Sequence, residues 1–419
     1  MAVFVVSETP ALSGAVQVSG SKNAVLPIIC ASLLTDETVV LTNVPDIDDI
    51  TSILDIVASL GVSVKRNEGR LELCAKGITS WQVTHPKAKK IRAGVLLLGA
   101  LLARFGRVEV PYPGGCVIGK RPVDTHIYGF SRLGAVDVST NGEISLIASE
   151  LVGARIIMPE ISVTGTENVI IASVLAHGTT HIRLAAREPH VVDLCNFLVT
   201  LGAHIEGIGT DHLIIDGVEK LSGGEYRIVP DYIEAGTFVI AGILTNSHIQ
   251  VNDMNPGDLD VVLCLLEMMG AKFAVHENSI ETFPHEKLLA TKKLRTGAFP
   301  EFPTDLQAPF AVLFTQAHGI SKVFETMFEN RLNYLIELET MGAHVEYLNK
   351  HEALFVGPSK LYGSSVSSWD LRAGAAMVLA GLIAKGTTIV YNIDYIRRGY
   401  ERFHEKLQSL GACITLKEE

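Results

Sequence analysis

Leu201-Gly202-Ala203 closes one apolar helical run and opens the alternating stretch His204-Ile205-Glu206. The same join recurs at Leu60-Gly61, Leu133-Gly134-Ala135, Met269-Gly270-Ala271, Met341-Gly342-Ala343 and Leu410-Gly411-Ala412. The six glycines stand 73, 68, 68, 72 and 69 residues apart. A glycine at a helix C-terminus takes the left-handed φ that a Cβ penalises. Each join therefore predicts a helix end followed by a strand, six times over.

Superposed, the copies share one plan. A small-residue-rich helix comes first, over 23–34, 91–103, 167–176, 233–244, 306–317 and 371–384. A strand follows, as at 179–184 or 387–391, then an amphipathic helix such as 191–201, then two strands such as 204–206 and 212–215. A further strand leads into the next copy. This alternation predicts an α/β fold with partly parallel sheets. A unit of about 70 residues is small for a core of its own, so three copies around a shared core make the expected domain. Two copies carry acidic loops, Asp46, Asp48 and Asp49 in the first and Asp253, Asp258 and Asp260 in the fourth, where the others carry arginine. That periodicity divides the chain into 22–229 and 1–21 plus 230–419. The opening stretch 2–18 is expected to pair with the last copy.

The chain has 419 residues, 47% of them hydrophobic, and a formal charge of −11. This balance argues against a protein coated in nucleic acid, which needs a basic face. The mean hydropathy of +0.30 suggests a membrane, but the apolar runs 93–103 and 373–384 are closed by Arg92 and Arg104 and by Arg372 and Lys385. Both fall short of the ~20 residues that span a bilayer. The start MAVFVVSETP lacks a basic, cleavable leader, so a cytoplasmic location is expected. None of the six cysteines forms the C-x-x-C pair of a zinc site, and reduced thiols are expected.

The copies differ at two places, the start of the first helix and the loop before the second. Helix starts favour anions and disfavour cations, yet Lys22 and Arg92 occupy equivalent starts in adjacent copies. Loops add Lys120, Arg121, Arg187, Arg331, Arg397 and Arg398. Each cation alone reads as a solvated or salt-bridged side chain. As a set in an acidic chain they point to a polyanionic ligand, because arginine forks match phosphate and carboxylate. Asp305, Asp231 and Asp370 stand near helix starts and fit N-caps; for Asp305 the other reading is a carboxylate base. Cys116 differs from the other five cysteines, which fall in apolar helix or strand stretches expected to be buried. It lies in Pro113-Gly114-Gly115-Cys116-Val117-Ile118-Gly119-Lys120-Arg121, a mobile glycine turn beside two cations that lower a thiol pKa.

This loop and the sixfold plan resemble the UDP-N-acetylglucosamine 1-carboxyvinyltransferase family, the enolpyruvyl transferases of peptidoglycan synthesis. The motifs are Ser21-Lys22-Asn23-Ala24, Pro113-Gly114-Gly115-Cys116, Arg121-Pro122-Val123-Asp124, Ala186-Arg187-Glu188-Pro189, Phe302-Pro303-Thr304-Asp305, Glu329-Asn330-Arg331, Asp370-Leu371-Arg372-Ala373 and Arg398-Gly399-Tyr400-Glu401. The resemblance implies two inside-out α/β barrel domains, each of three β-α-β-α-β-β units, with the active site in the cleft between them. It implies transfer of the enolpyruvyl group of phosphoenolpyruvate to UDP-N-acetylglucosamine with no cofactor and no metal, in cell-wall synthesis, cell shape and division, by a monomer or an oligomer. Catalytic roles fall to Cys116, Asp305, Lys22 and Arg398, with Cys116 the fosfomycin target. Phosphoenolpyruvate contacts fall to Lys22, Asn23, Arg92, Arg121, Arg331, Arg372 and Arg398. Nucleotide-sugar contacts fall to Asn23, Arg92, Arg121, Pro122, Val123, Asp124, Ser162, Val163, Thr164, Gly165, Asp305 and Met327.

The chain departs from some members at Glu160 (lysine there), at Tyr232 (arginine there) and at Lys120 (a small residue there). These departures bear on the diphosphate contacts and leave a paralogue using another nucleotide sugar open. Three further readings compete. The sister transferase acting on shikimate 3-phosphate lacks the Pro-Gly-Gly-Cys and Arg-Pro-Val-Asp segments. A sixfold DNA clamp would put its basic residues on helices lining a hole. A degenerate, non-catalytic family member would have no need of Cys116, Asp305 and Lys22.

Overall fold

The computed structural model describes residues 2–113, 118–119, 122–140 and 142–418. The chain forms two compact units. The described residues of the first are 20–113, 122–140 and 142–229; those of the second are 2–19, 118–119 and 230–418. Residues 20–21 and 118–119 thus group otherwise than the sequence reading placed them. Ser21 N–H donates to the Val229 carbonyl at 2.7 Å and Asn330 N–H donates to the Ile118 carbonyl at 3.0 Å, which ties each stretch to its unit.

Each copy begins with a buried helix: α1 (Lys22–Ala31), α2 (Leu97–Phe105), α3 (Val163–Ser173), α4 (Tyr232–Leu244), α5 (Thr304–Gln316) and α6 (Leu371–Ile383). All residues of α4 are buried, as are Leu306–Thr315 of α5 and Arg372–Leu382 of α6. A helix apolar on every side belongs at the centre of a domain. In the second unit α4, α5 and α6 touch one another, and in the first α2 touches α1 and α3. The sheets surround them, with strands alternating buried and exposed residues. Helices inside and sheets outside is the inside-out arrangement expected. Helix α3 starts four residues earlier than 167, because Ser162 caps it by accepting from Gly165 N–H at 3.2 Å. Thr164 and Gly165 read as turn residues in isolation.

The six join glycines have φ between +85° and +105°, the left-handed conformation their position demands. After each of the first five, two strands form an antiparallel hairpin, whereas after Gly411 the single strand Ile414–Glu418 pairs with Ala2–Ser7. In every copy but the second the leading strand lies parallel to the strand after the helix; in the second an isolated parallel bridge, Gln82 to Glu109, takes its place among the described residues. In the third copy Arg155–Ile157 runs parallel to Thr179–Arg183, which pairs antiparallel with His212–Asp216. The leading strand of the first copy is Gly224–Arg227, parallel to Thr38–Thr42, so the first unit closes on itself.

The opening stretch is two strands rather than one. Ala2–Ser7 completes the sixth sheet, between Thr387–Tyr391 and Ile414–Glu418, with Ala2 opposite Glu418. Ser13–Gln17 instead leads the fourth copy, parallel to His248–Asn252. The expectation that 2–18 pairs with the last copy therefore holds for its first half only. Among the described cysteines Cys30 and Cys195 are buried, but Cys264 and Cys413 are exposed and Cys74 is half-buried. The expected burial of these three is wrong because Cys74 and Cys264 occupy the outer faces of a strand and a helix and Cys413 lies in the connection before Ile414–Glu418. No helix among the described residues is long and apolar enough to cross a membrane.

Candidate active site

The second unit carries a buried ion cluster built from three copies' elements. Asp231 and Asp370 are true N-caps: Asp231 accepts from Ile233 and Glu234 N–H at 2.9 and 3.2 Å, and Asp370 from Arg372 and Ala373 N–H at 2.7 and 3.1 Å. Asp305 is not a cap. Pro303 holds that position, and Asp305 is the second residue of α5 with its carboxylate directed elsewhere. One oxygen accepts from Arg331 Nη2 at 2.8 Å, the other from Arg372 Nε at 3.1 Å, with Arg372 Nη2 at 3.0 Å. Arg331 opens the turn Arg331–Tyr334 and Arg372 is the second residue of α6. Their side chains are 3% and 2% exposed, against 27% for Asp305. The Tyr400 ring lies 5.0 Å from the Arg372 guanidinium, and its hydroxyl meets Thr237 Oγ1 at 2.9 Å.

Burial pushes the Asp305 carboxyl up, but Arg372 and then Arg331 outweigh it and hold it well below the usual carboxylate range. Arg331 Nε and Arg372 Nη1 are buried and find no well-placed hydrogen-bond acceptor among the described residues. The sign of the pH effect follows from the depressed pKa. The ion cluster stabilises the fold fully above the unfolded value of about 3.9 and loses that contribution only as pH falls towards the lower folded value. In thermal melts the gap between wild type and Asp305→Asn is expected to stay constant from about pH 8 to pH 5 and to shrink below about pH 4. A gap that closed near neutrality would contradict this geometry.

Glu325, given no role in the sequence reading, organises this region. Its fully buried carboxylate accepts from Met327 and Phe328 N–H at 2.8 and 3.2 Å and from Thr304 Oγ1 at 2.9 Å. It thereby fixes the residue before Asp305 and the loop that carries Met327. A lone acid at a strand end is too common a signal to have revealed it. Arg398 follows the short helix Asp394–Arg397, two residues before Tyr400; the hydrogen bonds to Asp305 come from Arg331 and Arg372. Tyr232 is buried at the start of α4.

The first unit carries a second set. Lys22 begins α1 and pairs with Asp49 at 2.7 Å, both largely buried at 12% and 7% exposure, so it is not a solvated surface cation. Arg92 opens the turn Arg92–Leu96 before α2 and donates from Nη2 to the Pro122 carbonyl at 3.1 Å. Asn23 is half-buried beside Lys22. Pro122, Val123 and Asp124 line a surface cavity of ≈ 390 Å³ together with Tyr112 and Ile127. Ser162, Val163, Thr164 and Gly165 form the capped start of α3. Thr164 Oγ1 meets His126 Nε2 at 3.1 Å, and Asn168 Nδ2 meets His126 Nδ1 at 2.8 Å. His126 and Asn168 were also missed, since polar residues on apolar helices usually serve packing. Glu160 accepts from Thr125 Oγ1 at 3.2 Å. Cys116, Lys120 and Arg121 lie outside the described residues.

The model of the EPSP synthase (3-phosphoshikimate 1-carboxyvinyltransferase) family matches residues 6–407 of this chain. The UDP-N-acetylglucosamine 1-carboxyvinyltransferase of Hydrogenovibrio crunogenus is 45% identical over 404 residues, 96% of each chain. That of Coxiella burnetii is 44% identical over 405 residues, 96% of this chain and 93% of its own. The fold is similar to the crystal structure of the enolpyruvyl transferase NikO from Streptomyces tendae, with a TM-score of 0.89, 24% identity and 99% of both chains covered.

Proposed function

The chain belongs to the enolpyruvyl (1-carboxyvinyl) transferases, and from that premise we infer its reaction. It transfers the enolpyruvyl group of phosphoenolpyruvate to the 3′-hydroxyl of UDP-N-acetylglucosamine and releases phosphate, the first committed step of peptidoglycan synthesis. Identity of 44–45% along nearly the whole chain supports this acceptor over shikimate 3-phosphate.

The observation that carries the chemistry is the Asp305 carboxylate held between two buried arginines. Addition requires the hydroxyl oxygen to attack C2 of phosphoenolpyruvate while its proton leaves and a proton reaches C3. Elimination then breaks the C2–O bond to phosphate and removes a proton from C3. We assign Asp305 to take the hydroxyl proton. Paired as it is, it is a weak base. When the phosphate and carboxylate of phosphoenolpyruvate engage Arg331 and Arg372, the charge that depresses its pKa is shared with the ligand and its basicity rises. Lys22, Arg92, Arg121 and Arg398 serve the same anion, and Lys22 stabilises charge developing at C2. Cys116 supplies or removes the proton at C3. Asn23, Pro122, Val123, Asp124, Ser162, Val163, Thr164, Gly165 and Met327 receive the nucleotide sugar. The cavity lined by Tyr112, Pro122 and Val123 is assigned to the base. A cytoplasmic enzyme required for cell shape and division completes the reading.

The test is a phosphate-release assay with phosphoenolpyruvate and a panel of acceptors. Release with UDP-N-acetylglucosamine is expected; release with shikimate 3-phosphate or another nucleotide sugar instead would overturn the assignment. Fosfomycin is expected to alkylate Cys116 when nucleotide sugar is present, and Cys116→Asp is expected to escape alkylation while still turning over.

A further inference from the structure

The side chains of Asn168, His126 and Thr164 form a hydrogen-bond chain whose protons can be assigned from its first donor. Gly99 N–H can only donate, and it lies 2.9 Å from Asn168 Oδ1. That fixes the amide, so Asn168 Nδ2 faces the Val95 carbonyl at 3.0 Å and His126 Nδ1 at 2.8 Å. Its two hydrogens meet two acceptors. His126 Nδ1 therefore accepts, and the proton of the neutral ring sits on Nε2. Nε2–H then donates to Thr164 Oγ1 at 3.1 Å. The threonine's own hydrogen cannot point back at the ring, and among the described residues no other acceptor takes it. Asn168 and His126 are buried, at 0% and 1% exposure, while Thr164 is half-buried at the second turn position of α3. A buried relay thus ends in a hydroxyl whose donor direction is set from behind. Close by, Glu160 is a carboxylate hydrogen-bonded to Thr125, so position 160 offers a diphosphate no positive charge.

We propose that Asn168 and His126 are positioning residues that hold the Thr164 hydroxyl as a hydrogen-bond donor to an anionic oxygen of the nucleotide sugar's diphosphate. The inference rests on the reaction assigned above and adds to it a specificity device made of neutral groups. A hydrogen bond to a charged oxygen whose donor is pre-aimed costs little reorganisation.

Calorimetric titration of the full chain with UDP-N-acetylglucosamine tests it. Thr164→Val is expected to weaken binding about tenfold or more, with KM for phosphoenolpyruvate unchanged, and Thr164→Ser to restore it. His126→Leu is expected to weaken binding similarly in the wild-type background and to add nothing in a Thr164→Val background. Effects that multiply would show His126 acting on its own and overturn the positioning role. Nitrogen-15 spectra of the unmutated protein are expected to show His126 protonated on Nε2; protonation on Nδ1 overturns the relay whatever the variants do. Wild type that ignores UDP-N-acetylglucosamine would defeat the assigned reaction and this inference with it. Wild type that binds it as well as Thr164→Val does would defeat this inference alone.

Discussion

Asp305→Asn is expected to lower kcat by about 10²–10⁴-fold, the range a positioned base contributes, while the fold survives. The amide keeps an oxygen for one arginine but places N–H groups against the other and carries no charge. Asp305→Ala is expected to do more. It leaves two guanidinium groups, each 3% exposed or less, with no anion between them. Removing one partner of a buried pair costs about 3 kcal/mol or more, or roughly 6–12 °C in the melting temperature of a unit this size. The measurement is phosphate release beside a thermal melt. Normal phosphate release by Asp305→Asn would assign the base elsewhere. Full stability of Asp305→Ala would mean that the arginines do not depend on this carboxylate. Phosphoenolpyruvate is expected to recover part of the lost stability, because the ligand brings the missing negative charge.

The second large effect belongs to Arg372. Arg372→Met keeps much of the stem's bulk against the Tyr400 ring and removes the fork. KM for phosphoenolpyruvate is expected to rise by about 10²–10³-fold, the scale set by truncating one side of a buried charge pair. Arg372→Lys is expected to recover little, since an ammonium on a different stem cannot reproduce the Nε and Nη2 contacts to one carboxylate oxygen. Affinity for UDP-N-acetylglucosamine alone is expected to change far less. A variant that lost both ligands equally would point to collapse of α6 rather than loss of an anion contact. Arg372→Met also leaves Asp305 with Arg331 alone, so the acid limb of its pH–rate profile is expected to move upward, the direction given by removing the larger of its two stabilising charges.

The architecture was legible because it is written six times. A left-handed glycine at a helix end is a demand of covalent geometry, and repetition at near-equal spacing excludes coincidence. The inner helices could be placed from their all-round apolar character, and their small residues mark close packing. Gly99 lies where a Cβ would stand 2.6 Å from the Asn168 carbonyl. What did not read from the sequence depends on direction. Asp231, Asp305 and Asp370 stand at similar helix starts, yet two turn inward to cap and one turns away to the arginines, a choice set by Pro303 and by partners far along the chain. Lys22 was legible as an unusual helix-start cation, but its pairing with Asp49 needed the fold. Glu325, His126 and Asn168 act through hydrogen bonds across up to 73 residues of chain, and no local pattern announces such bonds. The burial of Cys74 and Cys264 was misjudged because amphipathic elements present short apolar runs on both faces, and that of Cys413 because it lies just before the last strand rather than in it.

The place of Ala2–Ser7 in the middle of the sixth sheet has a cost during biosynthesis. Val3, Phe4 and Val6, buried in the finished molecule, are made long before their neighbours in Thr387–Tyr391 and Ile414–Glu418. At ~5–20 residues per second the interval on the ribosome is roughly 20–80 s. For that time an apolar β-segment lacks both its sheet neighbours while the first unit is already able to close.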